Sequence, residues 1–387
     1  MSRLLTLLVA LFAVTVAFYQ ITIKPILVRG GLWRRVESLA NDHCTSVPEL
    51  QACEKIVLHQ PTGVLYLACS LPSRRASWIP GANRLDAEHA SFNDYVATYD
   101  PVSRRVTRLK FQSFNSTRGF SSHGMDIVQS SSNPNELFVY LINHRAPLDG
   151  QSALEVGADS AVEIFKTVVN SDSLIHIRTV EDPVIICPND LVGYPDGQSF
   201  YFTNDHGEKV GFVRELDLFG RKSSSVGYCH AQSGCKYAIT KMQGSNGIAR
   251  APNDTLYVVN YFAGSVNVLE RQSDDTLVIT DTILTDRSLD NVSIDSNGAL
   301  WVAGFPNIFT LFLKHLSNPS IPAPSSALRI ALNTGSSSFF GEKYKLDKVF
   351  EDNGNIASGT TTAVYDAQRH RLFLHGLLAP HLSICLI

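Results

Sequence analysis

Five sets of polar side chains recur along this chain at one phase, each about a dozen residues ahead of a short apolar run. They are Glu54, His123, the pair Asn189-Asp190, Asn246 and the pair Asp290-Asn291. Glu54, Asn189, Asn246, Asp290 and Asn291 offer only oxygen donors, two of them anionic. Calcium accepts six to eight oxygens in flexible geometry, so such a set leaves places for water and a substrate oxygen, and its carboxylates offset the ion's charge. Taken singly, an Asn or Asp before a strand is an ordinary turn former. Recurrence at one phase of successive repeats is what argues for a shared site, because equivalent positions in a repeat become equivalent positions in space.

Two histidines add a base. His123 lies in Ser122-His123-Gly124 and His144 ends an apolar run in Ile142-Asn143-His144. An imidazole near neutral pKa takes a proton from water, and a second imidazole beside it tunes the first. The chain has no His-Glu-x-x-His zinc spacing and no Gly-x-Ser-x-Gly nucleophile elbow. Zinc and serine-nucleophile chemistry therefore lose ground to calcium and activated water.

The elements that must bring these groups together are six apolar runs: Val64–Leu67, Leu137–Tyr140, Phe200–Phe202, Leu256–Val259, Leu300–Val302 and Leu372–Leu374. Turn formers precede several of them, as in Pro61-Thr62-Gly63, Pro195-Asp196-Gly197, Pro252-Asn253-Asp254 and Ser296-Asn297-Gly298. Each interval holds a four-stranded blade with loops, which predicts an all-β fold, a six-bladed β-propeller, preceded by an N-terminal hydrophobic helix. Parallel βαβ units fit less well, because helical periodicity is confined to 32–41 and 309–316. Two polar inserts, 71–96 and 317–326, interrupt the repeats, and the first is placed to roof a site on the propeller axis. The 387 residues, 44% of them apolar, suit one large repeat domain, and a net charge of −3 without a basic stripe argues against nucleic acid.

Leu4–Ile23 is apolar for 20 residues, enough to cross a bilayer. It reads as a retained anchor over a cleaved signal, since Ala-Phe-Tyr-Gln is a poor cleavage site. The organisation is then an anchor over 1–23, a linking or amphipathic segment over 24–43, and the propeller over 44–387. Lys24, Arg29, Arg34 and Arg35 after the apolar stretch favour a cytosolic body. Seven cysteines, with glycosylation acceptors at Asn115 and Asn253, favour a lumenal or extracellular one, and that reading is preferred. A propeller must also close its ring, and Cys44 and Cys385 stand where a staple would do so. The odd cysteine count leaves at least one thiol without an intrachain partner.

Ser122-His123-Gly124, Asn143-His144, Pro188-Asn189-Asp190-Leu191-Val192, Thr203-Asn204-Asp205-His206, Asn246-Gly247-Ile248 and Asp290-Asn291-Val292-Ser293 together resemble the successive motifs of the serum paraoxonase/arylesterase family. The resemblance runs from about Cys44 to Cys385 with motif order kept. It implies a propeller with two calcium ions in its central tunnel, hydrolysing lactones and aryl esters. Glu54, Asn189, Asn246, Asp290 and Asn291 would hold the catalytic calcium, and His123 and His144 match the family's dyad. Asp205 would support His144, and Cys44–Cys385 matches the closing disulfide.

Two departures stand out. The family's aspartate after the calcium-binding Glu is Lys55 here, so Asp190 would face an ammonium where a second, structural calcium is expected, and a single ion is anticipated. Phe305 precedes Pro306-Asn307 where mammalian members carry histidine, which makes the pocket wall more apolar. Cys229 and Cys235 sit in an added loop and read as a local disulfide. The expected function is calcium-dependent hydrolysis of small ester or lactone substrates, with the membrane as the other partner. The alternatives are a calcium-stabilised propeller that binds protein or lipid, and a sugar-lactonase or lyase type of propeller enzyme.

Overall fold

Each of the six apolar runs forms the second strand of an antiparallel sheet in the computed structural model, which describes residues 3–115 and 117–387. Blade I consists of Lys55–His59, Val64–Cys69, Tyr95–Asp100 and Arg105–Arg108. Blade II is Ser122–Gln129, Glu136–Arg145, Asp159–Val168 and Ser173–Val180, with Lys110–Gln112 added in parallel at its outer edge. Blades III, IV and V begin at Pro188–Gly193, Ser245–Arg250 and Ser288–Ile294, and each adds three strands in chain order. Blade VI is Thr360–Asp366, Arg371–Gly376 and Leu382–Leu386, completed by Cys44–Val47 from the other end of the chain.

Side chains of the inner strands are buried against the neighbouring blades, so the core lies between sheets. Leu65, Leu67 and Ala97 of blade I pack with Val364, Phe373 and Leu382 of blade VI, while Tyr66 and Val96 pack with Met125 and Val139 of blade II. Closure is covalent as well. Cys44 and Cys385 are register partners in adjacent antiparallel strands and form a disulfide spanning 341 residues. Cys229–Cys235 and Cys53–Cys69 are also bridged, and Cys187 is a buried free thiol.

Segment 309–316 is helical, over Ile308–Thr310 and Leu311–His315. The expected helix at 32–41 does not form. Leu39 exchanges backbone hydrogen bonds with Glu351 at 2.9 and 3.1 Å, and the Glu37 amide donates to the Glu351 carboxylate. Pairing with the edge of blade V thus overrides a weak helical period. The N-terminal apolar helix continues to Arg29, 27 residues in all, with no buried side chain. Its end docks on the propeller, where the Ile308 amide donates to the Gly30 carbonyl at 3.0 Å.

Candidate active site

The innermost strands do not pair regularly, and their irregularities fall on the residues singled out above. Register shifts between Pro188 and Leu191, Ser245 and Ile248, and Leu289 and Val292 leave Asn189-Asp190, Asn246-Gly247 and Asp290-Asn291 each facing a single partner residue. His123-Gly124 opposes Ile142 in the same way, and Thr361 is the extra residue of blade VI. Such bulges re-aim side chains, and here they turn one or two per blade towards the axis. Close approach of the inner strands dictates the glycines: a Cβ on Gly247 would lie 2.5 Å from Asn291 Cα, and one on Gly124 2.5 Å from the Asn189 carbonyl.

Glu54, His123, Asn189, Asn246 and Asp290 converge on the floor of a cavity of about 360 Å³. Glu54 accepts hydrogen bonds from Asn291 Nδ2 at 2.9 Å and Thr361 Oγ1 at 2.7 Å. Asn189 divides its amide. Nδ2 lies 3.3 Å from His123 Nε2, and Oδ1 is buried with no hydrogen-bond partner. Asp290 Oδ1 is likewise buried and unpartnered, whereas Asn246 Oδ1 accepts from the Gly247 amide at 2.7 Å.

Burial pushes the Glu54 carboxyl up to about 7, and burial together with the neighbouring Glu54 pushes Asp290 well above the usual carboxylate range. Two buried carboxylates this close resist joint ionisation unless a cation lies between them. The donor set is hard oxygen, the unpartnered atoms are acceptors, and both features fit a calcium-like ion. Among the described residues no three His, Cys, Asp or Glu side chains cluster as a metal group. Two carboxylates with carboxamides are a different, oxygen-only donor set.

A layer deeper, Lys55 Nζ pairs with Asp190 Oδ2 and lies 3.5 Å from Asn291 Oδ1, all three buried. Asn291 thus braces Glu54 from beneath with its amide nitrogen while its oxygen faces the ammonium, and neither it nor Asp190 lines the cavity. The Lys55 ammonium thus lies against Asp190, the carboxylate expected from the sequence to face it.

The imidazoles of His123 and His144 stack obliquely, with ring centroids 5.1 Å apart and planes at 60°. Burial is the main cause that holds both below the ordinary imidazole value, His144 at about 3, with Arg75 contributing to each. Both are neutral at physiological pH. Ser160 Oγ lies 2.8 Å from His144 Nδ1. Asp205 instead lines the cavity with Oδ1 unpartnered, its amide bonded to the Cys187 carbonyl at 3.0 Å.

Arg75 and Trp78 belong to the insert expected to roof the site, whereas Thr361 was not among the candidate residues. Arg75, from the short helix Pro72–Arg75, bonds to Asp94 at 3.0 Å and to the Ser122 carbonyl, pinning the insert 71–96 over the cavity. Trp78 Nε1 donates to the His144 carbonyl at 2.8 Å. Thr361 occupies the phase in blade VI that carboxylates and carboxamides occupy elsewhere, and that shared phase was the one clue available. Above the floor the walls are apolar, with Ile79, Phe305, Leu311, Phe312, Leu377 and Leu378 prominent. The acceptor asparagines Asn115 and Asn253 are both exposed, although Ser116 of the first triplet lies outside the described residues.

Comparison with known proteins gives a consistent result. A family model described as Arylesterase matches residues 77–379. Serum paraoxonase/arylesterase 2 of Homo sapiens is 25% identical over 338 residues, 87% of each chain. Serum paraoxonase/arylesterase 1 of Rattus norvegicus is 25% identical over 372 residues, 94% of each chain.

Proposed function

Because this chain belongs to the arylesterase family, we propose that it hydrolyses carboxylic esters and lactones in the axial cavity, with one calcium ion and the pair His123 and His144. Family membership supports a hydrolase of esters or lactones. The finer reading is supported by one observation above all: unpartnered, buried oxygens and a neutral imidazole share the floor of an apolar cavity.

Glu54, Asn189, Asn246 and Asp290 would hold the ion, with Asn291 bracing Glu54. A bound calcium supplies Lewis-acid polarisation of the carbonyl and charge stabilisation as the oxyanion develops. At 3.3 Å the Asn189 Nδ2 contact fits a lone pair on His123 Nε2, and in this reading the attacking water takes over that contact and gives its proton to His123. His144 stands behind it as the tuning partner, its ring held in place by Ser160. The insert 71–96 and the aromatic wall keep bulk water off the reacting carbon and favour an apolar acyl or aryl group. The arrangement needs no covalent intermediate. The Lys55–Asp190 pair supports a single ion per chain.

The exposed apolar helix Arg3–Arg29 supports a membrane anchor, and three disulfides support a body in an oxidising compartment, lumenal or extracellular, with Asn115 and Asn253 open to glycosylation. The test is turnover of a panel of one aryl acetate and lactones of increasing chain length, by the wild type and by His123→Gln. Turnover in the first and its loss in the second support the reading. Calcium binding with no turnover of any substrate would identify a binding propeller instead.

A further inference from the structure

Tyr261 is the first residue after strand Leu256–Asn260 of blade IV, and its amide is fixed to the Gly244 carbonyl at 2.8 Å. Its ring is set edge-on against Phe262, centroids 4.8 Å apart, and lies 6.0 Å from Phe305 and 6.1 Å from Phe312. The residue is only 8% exposed and belongs to the apolar wall with Ile79, Leu311 and Leu378. Yet its hydroxyl has no hydrogen-bond partner, on a cavity whose floor carries Asn246 and Asp290. A buried hydroxyl without a partner has lost its water and gained nothing in return. A phenylalanine would fill the same wall without that cost, so the oxygen itself asks for a role.

The other unpartnered groups on this cavity are acceptors. His315 Nδ1 contacts the Ile321 carbonyl at 2.6 Å, which leaves Nε2 as a bare lone pair, and Asp205 and Asn189 present oxygens. None of these can bond an oxygen that is gaining negative charge. Burial, with the neighbouring Asp290, pushes the Tyr261 phenol well above its ordinary value, so it is an O–H donor at neutral pH. Tyr261 lines the cavity together with Asn246 and Asp290 and is near enough to Asp290 to feel its charge.

We propose that the Tyr261 hydroxyl donates a hydrogen bond to the carbonyl oxygen of the bound ester or lactone and strengthens that bond as the oxygen becomes an oxyanion. The inference rests on the ester and lactone reading and adds to it a donor, supplied by the chain itself, for the oxygen on the reacting carbon. No proton is transferred and no bond to the protein forms.

Tyr261→Phe removes only the oxygen and keeps the ring packing. The experiment compares kcat and KM of wild type and variant on the aryl acetate and lactone panel, with thermal unfolding and calcium calorimetry on the same preparations. The expected result is a kcat lower by about tenfold to a hundredfold with KM within about twofold, and unchanged melting and calcium affinity. Unchanged kcat on every substrate turned over by the wild type overturns the assignment and leaves the functional reading intact. A raised KM at constant kcat also overturns it, because the contact would then be made equally in the ground state. So does a kcat loss accompanied by lower melting or weaker calcium binding, which reports a structural role. A wild type inert on the whole panel removes the functional reading, and this assignment with it.

Discussion

His123 and Lys55 carry opposite duties, each beside a different buried carboxylate, and both are tested by single changes: His123 Nε2 lies 3.9 Å from Glu54 Oε1, and Lys55 Nζ is paired with Asp190. His123→Gln should lower kcat by roughly 10²–10⁴-fold while keeping calcium affinity, as measured by steady-state kinetics beside calorimetry. Burial holds the His123 imidazole well below 6.5, so the neutral, proton-accepting form survives to lower pH than a free imidazole would allow. The acid limb of kcat/KM should accordingly fall below that ordinary value, and a limb at or above it would contradict the assigned base. Lys55→Met leaves Asp190 as an uncompensated buried charge, and chemical unfolding should report a loss of about 3–5 kcal/mol. That pairing was legible because a lysine stood in the sequence beside a calcium-type glutamate. The partner of His144 was not. Whether Ser160 or Asp205 reaches Nδ1 depends on a register between neighbouring strands of one blade, where His144 faces Ser160 directly, and nothing in the local motif Thr203-Asn204-Asp205-His206 encodes it.

The bulged innermost strand is the element that makes the site. Regular pairing alternates side chains between the two faces of a blade, so a single axial residue would arise only by chance, whereas two residues facing one partner aim a polar pair inwards. Gly247 allows the strand of blade IV to pass close to that of blade V. Gly247→Ala should place a Cβ 2.8 Å from the Asp290 carbonyl and 2.5 Å from Asn291 Cα, destabilise the protein by about 1–3 kcal/mol and weaken calcium binding, readable by unfolding and calorimetry. The second strands of all six blades were visible in the sequence as short apolar runs after turns, because each is buried on both faces. The outer strands were not, since Arg105–Arg108 and Gly234–Met242 are largely exposed and polar. Blade VI hid its contribution for a chemical reason. Its axial residue is Thr361, neither a carboxylate nor a carboxamide, although it hydrogen-bonds Glu54 at 2.7 Å.

Across the molecule, closure of the ring joins the first strand to the last, and the Cys44–Cys385 bridge fixes that seam over 341 residues. Cys44→Ser with Cys385→Ser should cost on the order of 5 kcal/mol by chain entropy and open the outer edge of blade VI, where the first strand meets the last, to proteases, as limited proteolysis and urea unfolding would show. The seam was legible in the sequence because cysteines stood at both ends of the repeats, while the bridge between Cys53 and Cys69 depended on how Val64–Cys69 turns back beside Glu54. The ring also explains why so few residues suffice for chemistry: six strands bring residues far apart in sequence, from Glu54 to Thr361, within hydrogen-bonding distance. The most direct measurement is ester and lactone turnover of the fully chelated protein as calcium is returned in known equivalents. Turnover should be absent after chelation and rise in proportion to calcium until one equivalent per chain. Full turnover without calcium, or a plateau reached only at two equivalents, would contradict a single axial ion beside the Lys55–Asp190 pair.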